Sequence, residues 1–202
     1  DISDVYAVVT VSGEANSQVG GLIGGVEGGS INRSATTGTV TAPGINEVGG
    51  LVGSLRGGAV NNSYSSASVT GNDQVGGLVG NGQSGTTVDD SYASGRVTGE
   101  SKLGGLLGLN NSDTAGSYWM DTNTTDSATS ETASGDTNGI ETGAKSGGNF
   151  TLADAQGDSA TGTLTALDFD SIWKTTDGFP ALQTTPRPPQ AVVVDEDGGG
   201  DY

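Results

Sequence analysis

Hydrophobic and polar positions recur on two scales along this chain. Over short stretches the period is about two. In SYSSASVTG (from Ser63) and TTGTVTA (from Thr36), small or apolar residues alternate with Ser and Thr, the spacing of a half-buried strand rather than of a helix. Thr and Val favour strands, and glycine at this density opposes helices. Over longer stretches whole blocks return. VGGLIG from Val19, VGGLVG from Val48 and from Val75, and LGGLLG from Leu103 begin 29, 27 and 28 residues apart. A strand-like block precedes each, ending at Gly13, Ala42, Gly71 and Gly99. Within these blocks Tyr6, Ala35, Tyr64 and Tyr92 form one column. Val11, Val40, Val69 and Val97 form a second, and Ile2, Ile31, Val60 and Val88 a third. Fixed apolar columns with free polar positions between them mark one supersecondary unit repeated.

A unit of about 28 residues traces roughly 90 Å of strand at about 3.3 Å per residue. That is one coil of a β-solenoid, with strands joined at corners and each coil paired to the next at about 4.8 Å. The expected fold is therefore all-β: a β-solenoid (β-helix) of about four such coils, of either hand. Leu22, Leu51, Leu78 and Leu106 are expected to point inward as an aliphatic ladder beside Ile23, Val52, Val79 and Leu107. The glycine pairs are expected at corners, where glycine accepts positive φ and close backbone approach.

Composition narrows the function. The chain has 202 residues, with 24 Asp and Glu against 7 Lys and Arg, a formal charge of −17. Such a surface repels phosphate backbones, so no nucleic-acid partner is expected. The chain contains no His and no Cys, which removes imidazole and thiol catalysis, the usual zinc sites and disulfides. There is no run of 18 apolar residues to span a membrane. The acidic, lysine-poor surface suits molar salt, where repulsion is screened over a few ångströms. The expected habitat is the outside of a halophile, at the cell surface.

The pairing of the SYSSASVTG-type block with VGGLVG resembles the GLUG repeat family, over about residues 1–182. The likeness extends to GSYWMDTNTTDSATS (from Gly116) and LDFDSIWKTTDGFPAL (from Leu167), similar to the segment that closes such arrays. The resemblance implies a β-solenoid fold and a surface location. Such repeats occur in large secreted and wall-attached proteins of bacteria and archaea, and some flank the peptidase module of immunoglobulin-A-cleaving metallopeptidases. Those peptidases act through a zinc-binding HExxH helix, which a chain without His cannot form. The second repeat also departs from the pattern, with Ala35 in the tyrosine column and a Pro43-Gly44 insertion.

Three regions are expected. Residues 1–113 hold the repeats. Residues 114–182 hold a partial fifth coil around Trp119, a polar loop, a short helix near LADAQ (from Leu152) and a cap. The cap cluster of Phe150, Leu152, Leu164, Leu167, Phe169, Ile172, Trp173, Phe179 and Leu182 is expected to cover the last coil. Residues 183–202 form a Pro-rich linker and an acidic tail. Val192, Val193 and Val194 in that tail make a candidate donor strand for the uncovered first coil of another copy.

Five N-x-S/T sequons, at Asn32, Asn61, Asn110, Asn123 and Asn149, are candidate glycosylation sites. Asn32 and Asn61 share a column. Asp121, Asn123, Asp126 and the DEDGGGD tail offer oxygen ligands. An EF-hand loop counted from Asp121 fails, however, with Asp126 at its sixth place and Thr132 at its twelfth, and no metal site or cofactor is expected. Asp89 and Asp90, adjacent on a strand, point to opposite faces. Asp168 and Asp170 share a face but fall in the cap. Stacked Tyr64 and Tyr92 suit either ladder packing or a sugar-binding face. No catalytic residues are assigned. The reading is a non-catalytic extracellular structural or adhesive protein, a filament or fibre subunit. Its partners are other copies or a longer parent chain. The alternatives are a module that binds cell-surface glycans or a receptor, and a polysaccharide-cleaving β-helix enzyme.

Overall fold

The computed structural model describes residues 1–14, 18–120, 124–126, 148–150 and 155–184. It shows an all-β solenoid in which every strand of the coils pairs in parallel with its equivalent one coil away. Ile2, Ile31, Val60, Val88 and Thr114 lie in register along one sheet. Tyr6, Ala35, Tyr64, Tyr92 and Tyr118 do so along a second. Val19, Val48, Val75 and Leu103 line a third, and Ile23, Val52, Val79 and Leu107 a fourth. The fifth coil contributes Asp113–Ala115, Tyr118–Met120 and Thr124–Asp126.

Two apolar clusters fill the interior. One gathers Ile31, Val60 and Val88 with Leu51, Leu78 and Leu106 and with Val52, Val79 and Leu107. The other gathers the Val40, Val69, Val97 column with Val48, Val75 and Leu103. Leu51, Leu78 and Leu106 are fully buried, whereas Leu22 in the first coil is half-buried. Each buried leucine stabilises by about 1.5–3 kcal/mol relative to exposure, which is how a chain with few aromatic residues obtains a core.

The glycine pairs do not take positive φ; their requirement is steric. A Cβ at Gly50 would overlap the Gly77 carbonyl and the Ser65 hydroxyl. One at Gly105 would overlap the Trp119 ring. The second glycine of each pair faces the residue that follows the tyrosine column: Thr36, Ser65, Ala93 and Trp119 in turn. The left-handed corners fall elsewhere, and several are held by residues other than glycine. Asp4, Arg33, Asn62 and Asp90 stand at successive corners with φ of 59°, 45°, 48° and 49°, and Glu47, Gln74 and Lys102 form a second such column. Backbone hydrogen bonds between coils fix these corners, as from Arg33 N to Asn61 O and from Asn62 N to Asp89 O. The Pro43-Gly44 insertion makes a longer corner that sends Ile45 into the core.

Ser34, Ser63, Ser91 and Ser117 form an inter-coil ladder. The Ser34 amide donates to the Ser63 hydroxyl at 3.1 Å, the Ser63 amide to the Ser91 hydroxyl at 3.1 Å and the Ser91 amide to the Ser117 hydroxyl at 3.2 Å. Each of these hydroxyls donates in turn to the carbonyl two residues before it. Buried hydroxyls are tolerated because donor and acceptor are both used.

A helix spans Gly157–Thr163, directly after the LADAQ segment; Ala155 of that segment is itself helical, and residues 152–154 lie outside the described residues. The C-terminal segment differs from expectation in one way: its apolar side chains do more than cover the last coil. Leu164, Leu167, Trp173 and Leu182 pack along the side of the solenoid, on the outward face of the tyrosine column. The outward tyrosines leave an apolar stripe running across coils, and a lateral strap buries more of it than an end cap would. The expected donor strand Val192, Val193 and Val194 lies outside the described residues.

Candidate functional site

Alternation places the tyrosine column outside. Thr36, Ser65, Ala93 and Trp119 turn inward, so Tyr6, Ala35, Tyr64, Tyr92 and Tyr118 turn outward. Tyr64 and Tyr92 stack with ring centroids 5.0 Å apart and planes 4° from parallel, the spacing the coil repeat imposes. Trp173 leans on both rings, at 5.9 Å and 5.5 Å. These two tyrosines are therefore buried beneath the strap and do not present an open sugar-binding face.

Ala35 belongs to the same buried cluster as Leu182 and Trp173. The small residue in the second repeat leaves the room that a tyrosine would take, at the level where the strap crosses. The strap is then tied by polar contacts. The Tyr92 hydroxyl donates to the Pro180 carbonyl, the Ala166 amide donates to the Tyr118 hydroxyl at 3.0 Å, and the Thr184 hydroxyl donates to Asp4 at 3.4 Å. Burial pushes the phenols of Tyr64 and Tyr92 upward, so both stay neutral donors.

Between strap and column lies a cleft of about 710 Å³, within the range of small-ligand sites. Tyr6, Tyr64, Tyr92 and Phe179 supply its aromatic walls. Thr37, Ser66, Thr175 and Thr176 supply hydroxyls, and Lys174 and Asp177 supply charge. The strap's side of the cleft is a turn in which the Gly178 amide donates to the Thr176 hydroxyl at 3.0 Å, and that hydroxyl donates to the Phe179 carbonyl at 2.7 Å. The Tyr6 hydroxyl is buried and meets no hydrogen-bond partner among the described residues. Sequence reasoning missed this cleft, since one wall repeats and the other does not. The apolar spacing of WKTTDGFPAL was its only available signal.

The other sequence candidates are dispersed. Asn32 and Asn61 stand in register in one sheet and are half-buried. Their sequon serines, Ser34 and Ser63, belong to the buried serine ladder. Asn110 is half-buried, and its carboxamide oxygen accepts from the amide and hydroxyl of Ser112, at 3.0 Å and 2.8 Å. Asn123 and the side chain of Asn149 lie outside the described residues.

Asp168 and Asp170 are not paired along a strand. Asp168 closes its own turn, accepting from the amides of Asp170 and Ser171 and from the Ser171 hydroxyl, and these bonds hold its carboxyl below the usual range. Asp90 occupies a left-handed corner. Its carboxyl is pushed up by burial and then by the charges of Asp89 and Asp168. Among the described residues, no group of three or more Asp and Glu is arranged to hold a metal ion, and no helix is long and apolar enough to cross a membrane.

The GLUG motif model matches residues 71–98, one coil of the solenoid. No curated protein sequence matches the chain. Among solved structures, a protein of Bacteroides ovatus provisionally named an immunoglobulin A1 protease superposes with a TM-score of 0.66. It shares 19% identity over 92% of this chain. That likeness is one of fold. The aligned part is 58% of the Bacteroides chain, so this chain spans little more than half of its length.

Proposed function

We propose that this chain is a non-catalytic structural and adhesive module of a surface or secreted protein, which stacks end to end with further solenoid coils. The GLUG motif in its third and fourth coils supports a surface or secreted setting. The observation that carries the assembly reading is the first coil. Its strand Tyr6–Ser12 runs seven residues, pairs only with Ala35–Thr41 among the described strands, and leaves Val8 66% exposed. Val5, Val9, Val11 and Ile23 beside it are only part-buried. Adding one strand there contributes about 0.5–1.5 kcal/mol per backbone hydrogen bond, together with valine burial. Val192, Val193 and Val194 are the proposed donors, giving a head-to-tail contact that repeats without closing.

The protease name belongs to the Bacteroides protein. Without His, this chain cannot supply an HExxH zinc site. Its habitat is proposed to be saline, from the −17 charge, and glycans at its sequons are proposed to be attached before the serine ladder closes.

The full chain at high concentration in molar NaCl, examined by light scattering and negative-stain microscopy, is expected to form filaments. Val8→Lys, which places a charge on the open edge, and deletion of residues 186–202 are each expected to return it to monomer. A monomer under all conditions, or filaments indifferent to both changes, would sink strand donation. The saline reading predicts a melting temperature that rises from dilute to molar NaCl; a flat or falling curve refutes it.

A further inference from the structure

We propose that the cleft between the tyrosine column and residues 174–181 is a binding site for a neutral oligosaccharide. The inference rests on the adhesive half of the reading above and not on assembly.

Four observations converge. The first is size: about 710 Å³ accommodates two or three sugar rings and exceeds what a few waters need. The second is the mixture of groups. A sugar ring has apolar C–H faces and hydroxyls around its rim, and this cleft sets the part-exposed rings of Tyr6 and Phe179 beside the hydroxyls of Thr37, Ser66 and Thr175, with Tyr64 and Tyr92 buried behind them. Tyrosine suits such a ligand because one side chain offers both an apolar face and a polar tip.

The third is the Tyr6 hydroxyl. It is buried, it has no partner among the described residues, and its desolvation raises the pKa of the phenol. Leaving a buried hydroxyl unmatched is costly; it is closed to solvent here, so a sugar hydroxyl would meet it as the cleft wall shifts to admit the ligand. Tyr92 differs, since its hydroxyl is already committed to Pro180. Tyr6 thus keeps unspent bonding capacity among the described residues.

The fourth is charge. Molar salt screens the chain's net charge beyond a few ångströms, but Asp177 on the cleft wall disfavours uronic and sialic acids at contact range. A neutral glycan escapes this penalty, and its hydroxyls can donate to Asp177.

One wall of the cleft stands on paired strands, and the other is the turn 175–180 that closes the antiparallel pair Trp173–Lys174 and Ala181–Leu182.

The test is binding of the full chain to an array of neutral, acidic and amine-bearing oligosaccharides in molar salt. Hits would be followed by calorimetry and by chemical-shift mapping of the Tyr6 and Phe179 rings. At least one neutral oligosaccharide is expected to bind and to shift those rings. Tyr6→Phe keeps the ring and removes the unpartnered hydroxyl. It is expected to weaken binding by about tenfold, the upper range for one hydrogen bond, without lowering the melting temperature. Thr37→Trp, which fills the cleft from the sheet side, is expected to abolish binding while the strand pairs persist.

The same measurements on Val8→Lys separate the two readings, because a monomer that still binds leaves the cleft intact whatever becomes of filaments. The proposal is overturned if no neutral glycan binds at millimolar concentration, if only acidic glycans or peptides bind, or if both cleft variants bind as the parent does.

Discussion

Leu78 and Trp173 are both fully buried, yet they are held in opposite ways. Leu78 sits between Leu51 and Leu106, its own equivalents in the neighbouring coils, and its amide donates to the Leu106 carbonyl. Trp173 lies on Tyr64 and Tyr92, from a part of the chain that repeats nothing. The coil interior is built from nearest-neighbour contacts about one repeat apart, so its stability grows coil by coil. The strap is built from single long-range contacts, 88 residues apart for Tyr92 with Pro180 and 180 apart for Asp4 with Thr184. Damage to the first should spread through the stack, and damage to the second should stay local.

The largest effect is expected inside. Leu78→Asp buries an unpaired charge between two leucines and should cost more than about 4 kcal/mol. In a denaturant titration the whole coil transition is expected to move or vanish. A loss under about 1 kcal/mol would mean that the interior is not continuous.

Trp173→Ala tests the other side. The cavity should cost about 3 kcal/mol, confined to the strap. Limited proteolysis should then cut within 155–184 while the coil transition barely moves. If the coils unfold together with the strap, the two regions form one cooperative unit and the contrast fails.

Tyr92→Phe is a finer probe of the seam. It keeps the stacked ring, removes the bond to Pro180, and should cost about 1 kcal/mol. It should also raise exchange at backbone amides of 174–182 without affecting the coils.

Asp90 stands where coil and strap meet, and gives the smallest effect. Because burial and the charges of Asp89 and Asp168 raise its pKa, the folded state holds its proton more tightly than the unfolded chain does. Ionised Asp90 therefore opposes folding at neutral pH. That opposition fades as pH falls through the raised value towards the ordinary carboxylate range. Asp90→Asn, which matches Asn62 at the same corner one coil away, should add about 0.5 kcal/mol or less at pH 7 and nothing in strong acid. A gain that persists in acid would assign the effect to the corner's backbone and not to charge.

Asp4 runs the other way. The hydrogen bonds and charge of Arg33, at 2.7 Å to each carboxylate oxygen, hold its carboxyl below the usual value. What that ion pair contributes is present above the ordinary carboxylate pKa and lost as pH falls through the lowered one. Both groups are exposed, so the change should be seen by carboxyl titration in NMR and not by melting.

The chain's own periodicity already named the Ile2, Tyr6, Val11 and Val19 columns and the return of GGLxG every 28 or so residues. A repeat that must stack on itself has one register that keeps apolar positions together, so sequence spacing determined coil pairing. The sequence also showed where the pattern lapses, at Ala35 and at Pro43-Gly44. It placed the glycine pairs at corners, where the bends Gly50-Leu51 and Gly77-Leu78 join successive strands, but it could not tell close approach from positive φ, because both leave the same residue in the sequence. Only the packed lumen, with Ser65, Ala93 and Trp119 pressing on those glycines, separates the two causes.

Tertiary structure alone decided where the non-repeating strap lies. Apolar spacing in residues 164–182 announces that something is covered but not what. The outward tyrosines, a side chain's width from the core columns in sequence, become an apolar stripe only once the coils are stacked. The cleft follows from the same cause. One wall comes from the ladder and the other from a turn more than 80 residues beyond Tyr92, and no local pattern encodes the distance between them.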